Sequence, residues 1–202
     1  KITSLKFGDP NAEGRIIKVL EKISQDTKFG SDTGKFLRHV DEFSDIEGFE
    51  TFLKKAYSAD KELKGWLFGA EGIASLVKSP DIVRNTAKIE RVLPGTKLTP
   101  DIIFQNKKTG EWIVADFKSG NIGNIDVSSI KEYKTIGVKE FGPNTKTILF
   151  AEEGQTATAI ADIERQSGAK VVIMTKDGSG NLILPLGFMD GVKTTLNHSP
   201  GS

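Results

Sequence analysis

Apolar residues recur at helical spacing through the first part of the chain and at strand spacing through its middle. Ile16, Ile17, Leu20 and Ile23 fall on one side of a helix predicted from Glu13 to Lys28, and Gly30 to Gly34 reads as a break. Phe49, Phe52, Leu53 and Tyr57 mark a further helix. Asp60 to Lys78 is the most strongly patterned stretch. Leu63, Trp66, Leu67, Ala70, Ala74 and Val77 form a single apolar stripe, and Ser79-Pro80 closes the helix. Glu71 sits at the edge of that stripe, about 100° around the axis from Ala70.

The pattern then changes period. Strands are predicted from Val83 to Leu93, Asp101 to Gln105 and Glu111 to Lys118, with turns at Pro94-Gly95 and at Lys107 to Gly110. A loop from Ser119 to Asn124 leads to Asp126, a good helix cap, and to a helix from Val127 to Phe141. A strand at Thr147 to Phe150, a helix near Thr156 to Gln166 and a strand at Val171 to Met174 follow, with Asn181 to Leu186 as an edge strand. Ile113-Val114-Ala115 and Ile148-Leu149-Phe150 are apolar on both faces, as central strands should be. The order predicts an α/β fold with a mixed central sheet flanked by helices. It divides the chain into a helical N-terminal segment (1–58), a core (59–190) and a tail (191–202).

Composition changes this picture little. The chain has 202 residues, 37% apolar and 27% charged, which is ordinary for a globular protein. No apolar run reaches the length of a membrane span, so no membrane is expected as a partner. The absence of cysteine excludes disulfides, zinc–thiolate sites and iron–sulfur clusters. It leaves two locations open, the cytoplasm or secretion and delivery into a target cytoplasm. A net charge of +1 does not itself point to nucleic acid.

The chemistry concentrates in the predicted hairpin. Asp101 follows Pro100 at the start of one strand, and Asp116-Phe117-Lys118 ends the next. Alternation puts Asp116 and Lys118 on one face. Two carboxylates beside apolar strands are costly unless a cation uses them. Glu71 is placed to reach in from the preceding helix, and Glu90 is its rival, because its strand should adjoin the hairpin. Carboxylates without thiols suit a hard cation such as Mg²⁺ or Mn²⁺. An acidic-x-Lys triplet is cheap, since the chain has four: Asp26-Thr27-Lys28, Glu62-Leu63-Lys64, Asp116-Phe117-Lys118 and Glu132-Tyr133-Lys134. The third alone ends an apolar strand, follows a Pro-Asp-led strand and runs into a Gly-rich loop.

On Pro100-Asp101, Asp116-Phe117-Lys118 and Glu71, and on the helix–strands–helix–strand order, the region from about residue 60 to 175 resembles the PD-(D/E)xK nuclease superfamily. The resemblance implies a restriction-endonuclease-like core and Mg²⁺-dependent (or Mn²⁺-dependent) hydrolysis of nucleic acid, with a DNA endonuclease as the first expectation. It implies Asp101, Asp116, the Phe117 carbonyl and Glu71 as metal ligands and Lys118 as the catalytic lysine. Ala115 to Gly120 looks most like the RecB-like branch, although Ser129 stands where that branch has Gln, four residues before Tyr133. Pro94-Gly95-Thr96-Lys97 is similar to nuclease toxins of contact-dependent inhibition systems. Two alternatives follow: an interbacterial toxin acting on DNA or tRNA and countered by an immunity protein, or a non-catalytic nucleic-acid-binding module on the same fold.

Lys131 and Lys134 are candidates for phosphate contact, against the plainer reading of a solvated helix face. Tyr133 and Trp66 read as core, His39 and His198 as surface residues, and the Ser119 to Asn124 loop as a flexible connection.

Overall fold

The computed structural model describes residues 12–26, 32–58 and 63–189. Residues 59–62, where the expected boundary between segment and core falls, lie outside the described residues, as do the 191–202 tail, His198, and Gly30 and Ser31 of the Gly30 to Gly34 break. Four helices come first: α1 (Ala12–Gln25), α2 (Thr33–Phe43), α3 (Phe49–Ser58) and α4 (Leu63–Val77). Then follow β1 (Ile82–Ile89), β2 (Ile102–Asn106), β3 (Trp112–Lys118), α5 (Ser128–Phe141), β4 (Lys146–Glu152), α6 (Ala157–Ser167), β5 (Lys170–Lys176) and β6 (Leu182–Ile183). The six strands form one sheet in chain order. β1, β2 and β3 pair antiparallel, β3, β4 and β5 pair parallel through the crossovers α5 and α6, and β6 returns antiparallel to β5. This is the mixed α/β fold expected from the sequence, helix and antiparallel strands first, parallel strands after.

Alternation sorts the strands between two layers. Phe104, Ile113, Ala115, Phe117, Ile148 and Phe150 face α1 to α4 and share one core with Ile16, Phe36, Phe43, Phe52 and Leu53. Ile103 and Val114 face Tyr133 of α5, while Leu149, Ala151 and Val171 face Ile130 and Ile163. The N-terminal helices are thus part of the main core. Their junction is aromatic: Phe43 meets Phe49 and Phe52 edge-on, and Phe52 meets Trp66 edge-on at 5.1 Å. Such pairs contribute about 0.5–1.5 kcal/mol each beyond their buried area.

β1 is shorter than predicted. Its ladder slips between Val83 and Lys88, where Thr86 Oγ1 accepts the Gln105 N–H at 3.0 Å. It stops at Glu90, whose φ of 52° is incompatible with a continuing strand. β6 is also shorter than expected, ending before Pro185. Gly72 sets the distance between α4 and β3, because a Cβ there would overlap the Phe117 ring.

Candidate active site

Asp101 stands one residue before β2, opposite the C-terminal end of β3, where the regular β2–β3 ladder stops at Ile102–Ala115. Side chains continue the pairing. Asp101 Oδ2 accepts the Phe117 N–H at 2.6 Å, and Asp116 Oδ1 accepts the Asp101 N–H at 3.3 Å. Lys118 Nζ lies 2.7 Å from Asp116 Oδ2. The sequence-predicted trio is therefore together at the end of the sheet.

The electrostatics are strained. The Asp101 carboxyl is held well above the ordinary carboxylate range, first by desolvation and then by the charges of Asp116 and Glu90, with Lys118 offsetting part. Glu90 is buried and is also raised, mainly by desolvation, although it pairs with Lys55. Lys55 also donates to Thr99 Oγ1 at 2.7 Å. A buried non-glycine residue with positive φ is backbone strain of about 1–3 kcal/mol, and here it falls where the β1 ladder ends, with the carboxylate turned to Lys55. Tyr133 is pushed up by burial and then by Asp116, Asp101 and Glu90, and its hydroxyl donates to the Thr99 carbonyl at 3.4 Å.

Glu71 is elsewhere. Its Oε1 accepts the Leu182 N–H at 2.7 Å and lies 2.9 Å from Lys35 Nζ. It acts on neither Asp101 nor Glu90. The helical stripe explains this, since the edge of α4 that carries Glu71 turns toward α2 and β6. Of the rivals for the accessory position, Glu90 is the one whose charge acts on Asp101. Nor is His39 a surface residue. Its Nε2 is buried without a hydrogen bond, 3.8 Å from Glu71. Burial lowers its pKa, with Glu71 opposing.

Lys131 is exposed on α5, and the Lys134 chain lies against Gly168 at the end of α6. The Ser119 to Asn124 loop is pinned: Glu152 accepts the Gly120 N–H at 2.9 Å, and Gln155 accepts from Ile122 and donates to Gly120. Sequence reasoning missed Lys55 and Thr99, and nothing in the local pattern of α3 marks Lys55. The Tyr133 signal was its place in the helix after the Asp-x-Lys strand.

Asp101, Phe117, Lys118 and Ser119 open into a cavity of about 460 Å³, closed on the other side by Phe52, Lys64, Gly65, Trp66, Gly69 and Ile73. A larger cavity, about 600 Å³, lies between α2, α4 and the β6 segment and holds none of these acids. Among the described residues no three acidic or imidazole side chains converge as a metal-holding group. In donor chemistry the cluster fits a hard cation: its ligands are all oxygens, and burial followed by like charge holds Asp101 above its ordinary range. No helix among the described residues is long and apolar enough to cross a membrane.

No family model matches the chain, and no curated protein matches it. Among solved structures, a complex of EndoMS with double-stranded DNA overlaps 52% of this chain and 43% of that chain, at 17% identity and TM-score 0.38. A repair endonuclease from Pyrococcus abyssi overlaps 57% and 47%, at 21% identity and TM-score 0.38. Pyrococcus furiosus SfsA in complex with Ca²⁺ overlaps 61% and 62%, at 14% identity and TM-score 0.34. This chain thus spans less than half the length of the first two. Overlaps of that extent carry nothing of those proteins' substrates over to it.

Proposed function

We propose that this protein is a metal-dependent nuclease that hydrolyses phosphodiester bonds, with DNA as its first substrate. The observation that carries the proposal is the Asp101–Asp116 pair, held at the open end of a buried strand with Lys118 at 2.7 Å from Asp116. Asp101, Asp116 and the Phe117 carbonyl would hold a Mg²⁺ or Mn²⁺ ion, with Glu90 as the accessory carboxylate. When bound, that ion polarises a phosphoryl oxygen and lowers the pKa of water. Lys118 Nζ stabilises negative charge developing on the phosphoryl group, where a preorganised donor contributes roughly 10²–10³ in rate. The Phe117 N–H and the Asp101 N–H fix the two carboxylates, so that neither reorients as charge develops. Lys55 keeps Glu90 oriented and offsets part of the repulsion.

Plasmid DNA, single-stranded DNA and tRNA incubated with pure protein test this directly. Cleavage should require Mg²⁺ or Mn²⁺, stop with EDTA, and fall at least about 10²-fold in Asp116→Ala and in Lys118→Ala, both still folded by circular dichroism. Undiminished cleavage by well-purified Asp116→Ala would overturn the assignment. Cleavage of tRNA alone would favour the toxin reading over a DNA endonuclease.

A further inference from the structure

The cavity beside Lys118 is not a plain groove for a duplex backbone. Part of its lining is ionic: Asp101, Lys118 and Lys64, the last paired with Glu152 at 2.6 Å. Part is apolar and aromatic: Trp66, with the nearly fully buried Phe52 and Ile73. Trp66 is only partly buried. It rests edge-on against Phe52 at 5.1 Å, an interplanar angle of 73°, and its remaining surface lines the cavity. The volume, about 460 Å³, lies within the range of about 300–1,000 Å³ that takes a ligand of mononucleotide size. On α4 the lining also includes Gly65 and Gly69, which present no side chain to the cavity.

A nucleotide has matching parts, an anionic phosphate and a flat apolar base. Inside a double helix the base is stacked and out of reach, so only an unpaired or extruded nucleotide can use both. We infer that this cavity takes one unpaired nucleotide of the strand being cut, its base stacked on Trp66 and its phosphate beside Lys118 and Lys64. The inference rests on the nuclease reading and deepens it: the preferred substrate is single-stranded or locally opened nucleic acid. Selection at this position is by access to a bare base, since stacking reads no sequence.

The chain has two tryptophans, so Trp112→Phe leaves Trp66 as the sole indole reporter. Trp112 stacks on Phe141 at 4.9 Å, on the opposite face of the sheet. In EDTA, which holds cleavage off, the Trp112→Phe protein is titrated with a short single-stranded DNA, the same sequence as RNA, and the same sequence as a duplex. The expected result is quenching of Trp66 fluorescence by single strands, at lower concentration than by the duplex. Trp66→Leu should bind the single strand about 5- to 150-fold more weakly, and Trp66→Phe, which keeps a ring, should recover much of it. A single-strand response in DNA and RNA alike fits stacking, and a response to one alone assigns the sugar as well. Equal quenching by duplex and single strand, or unaltered binding by folded Trp66→Leu, overturns the inference while leaving the nuclease reading intact if the wild type cleaves. Quenching without cleavage on any substrate upholds the nucleotide cavity and removes the nuclease.

Discussion

Glu71 and the Asp101–Asp116 pair are both acids taken largely out of water, and the fold treats them in opposite ways. Glu71 receives a backbone N–H from Leu182 and an ammonium from Lys35, so its charge is met on the spot. Asp101 receives one N–H and faces two further carboxylates, and its proton is held more tightly for it. A satisfied buried acid ties elements together, here α4 to β6 and α2. A group of acids pressed against one another does the reverse, and it persists because something other than stability requires it.

The largest expected difference is in rate. Glu90→Gln should slow Mg²⁺-dependent cleavage by roughly 10²-fold, while Glu71→Gln leaves the turnover of folded protein within a few-fold. Measuring kcat for both beside their melting curves checks this, and a Glu71→Gln protein that melts normally but does not cleave would invert the comparison. The second difference is in stability. Glu71→Gln strips the charge from the partner of Lys35 and should cost about 1–3 kcal/mol in urea unfolding.

Third, Asp101→Asn should kill cleavage yet stabilise the metal-free protein near neutral pH. The sign follows from the raised pKa. Asp101 contributes stability in full below its unfolded value, about 3.9, and loses it as pH rises through the raised folded value. The Tm advantage of Asp101→Asn in EDTA should therefore be absent in acid, grow toward neutral pH, and shrink when Mg²⁺ supplies the missing positive charge to the wild type. A Tm difference that stays flat across pH would mean that Asp101 is not under the strain described. The smallest effects belong to Lys131→Ala and Lys134→Ala. With Lys131 exposed and Lys134 lying against Gly168, each should change cleavage less than about threefold at moderate salt, as expected of solvated charges. A steep loss in a salt titration would restore them as phosphate contacts.

Much of the fold was legible because periodicity marks which faces are buried. Ile113 to Ala115 and Ile148 to Phe150 are apolar on both faces in sequence and central in the sheet. The gathering of Asp101, Asp116 and Lys118 was legible too, since a hairpin fixes register and register fixes neighbours. What local pattern does not encode is rotation of a helix about its own axis after packing. Glu71, at the edge of its stripe, was therefore open to either side, and tertiary contact with Leu182 and Lys35 decided it. The same holds for Lys55, which reaches Glu90 across 35 residues, and for Glu90, whose left-handed backbone no propensity anticipates. Trp66 was read as core and is half so, because one side of it rests on Phe52 and the other lines the cavity.

Gly72 has a consequence for any attempt to redesign this protein. Its missing side chain lets α4 lie against the Phe117 ring, and the next residues of that helix toward its start, Gly69, Trp66 and Gly65, form the opposite wall of the cavity. Position 72 therefore acts as a calliper stop. Alanine there would wedge the helix outward and widen the mouth, altering which substrates fit without touching a single charged group. A library that varies this one position samples aperture first and, through the Phe117 backbone that holds Asp101, reactivity second.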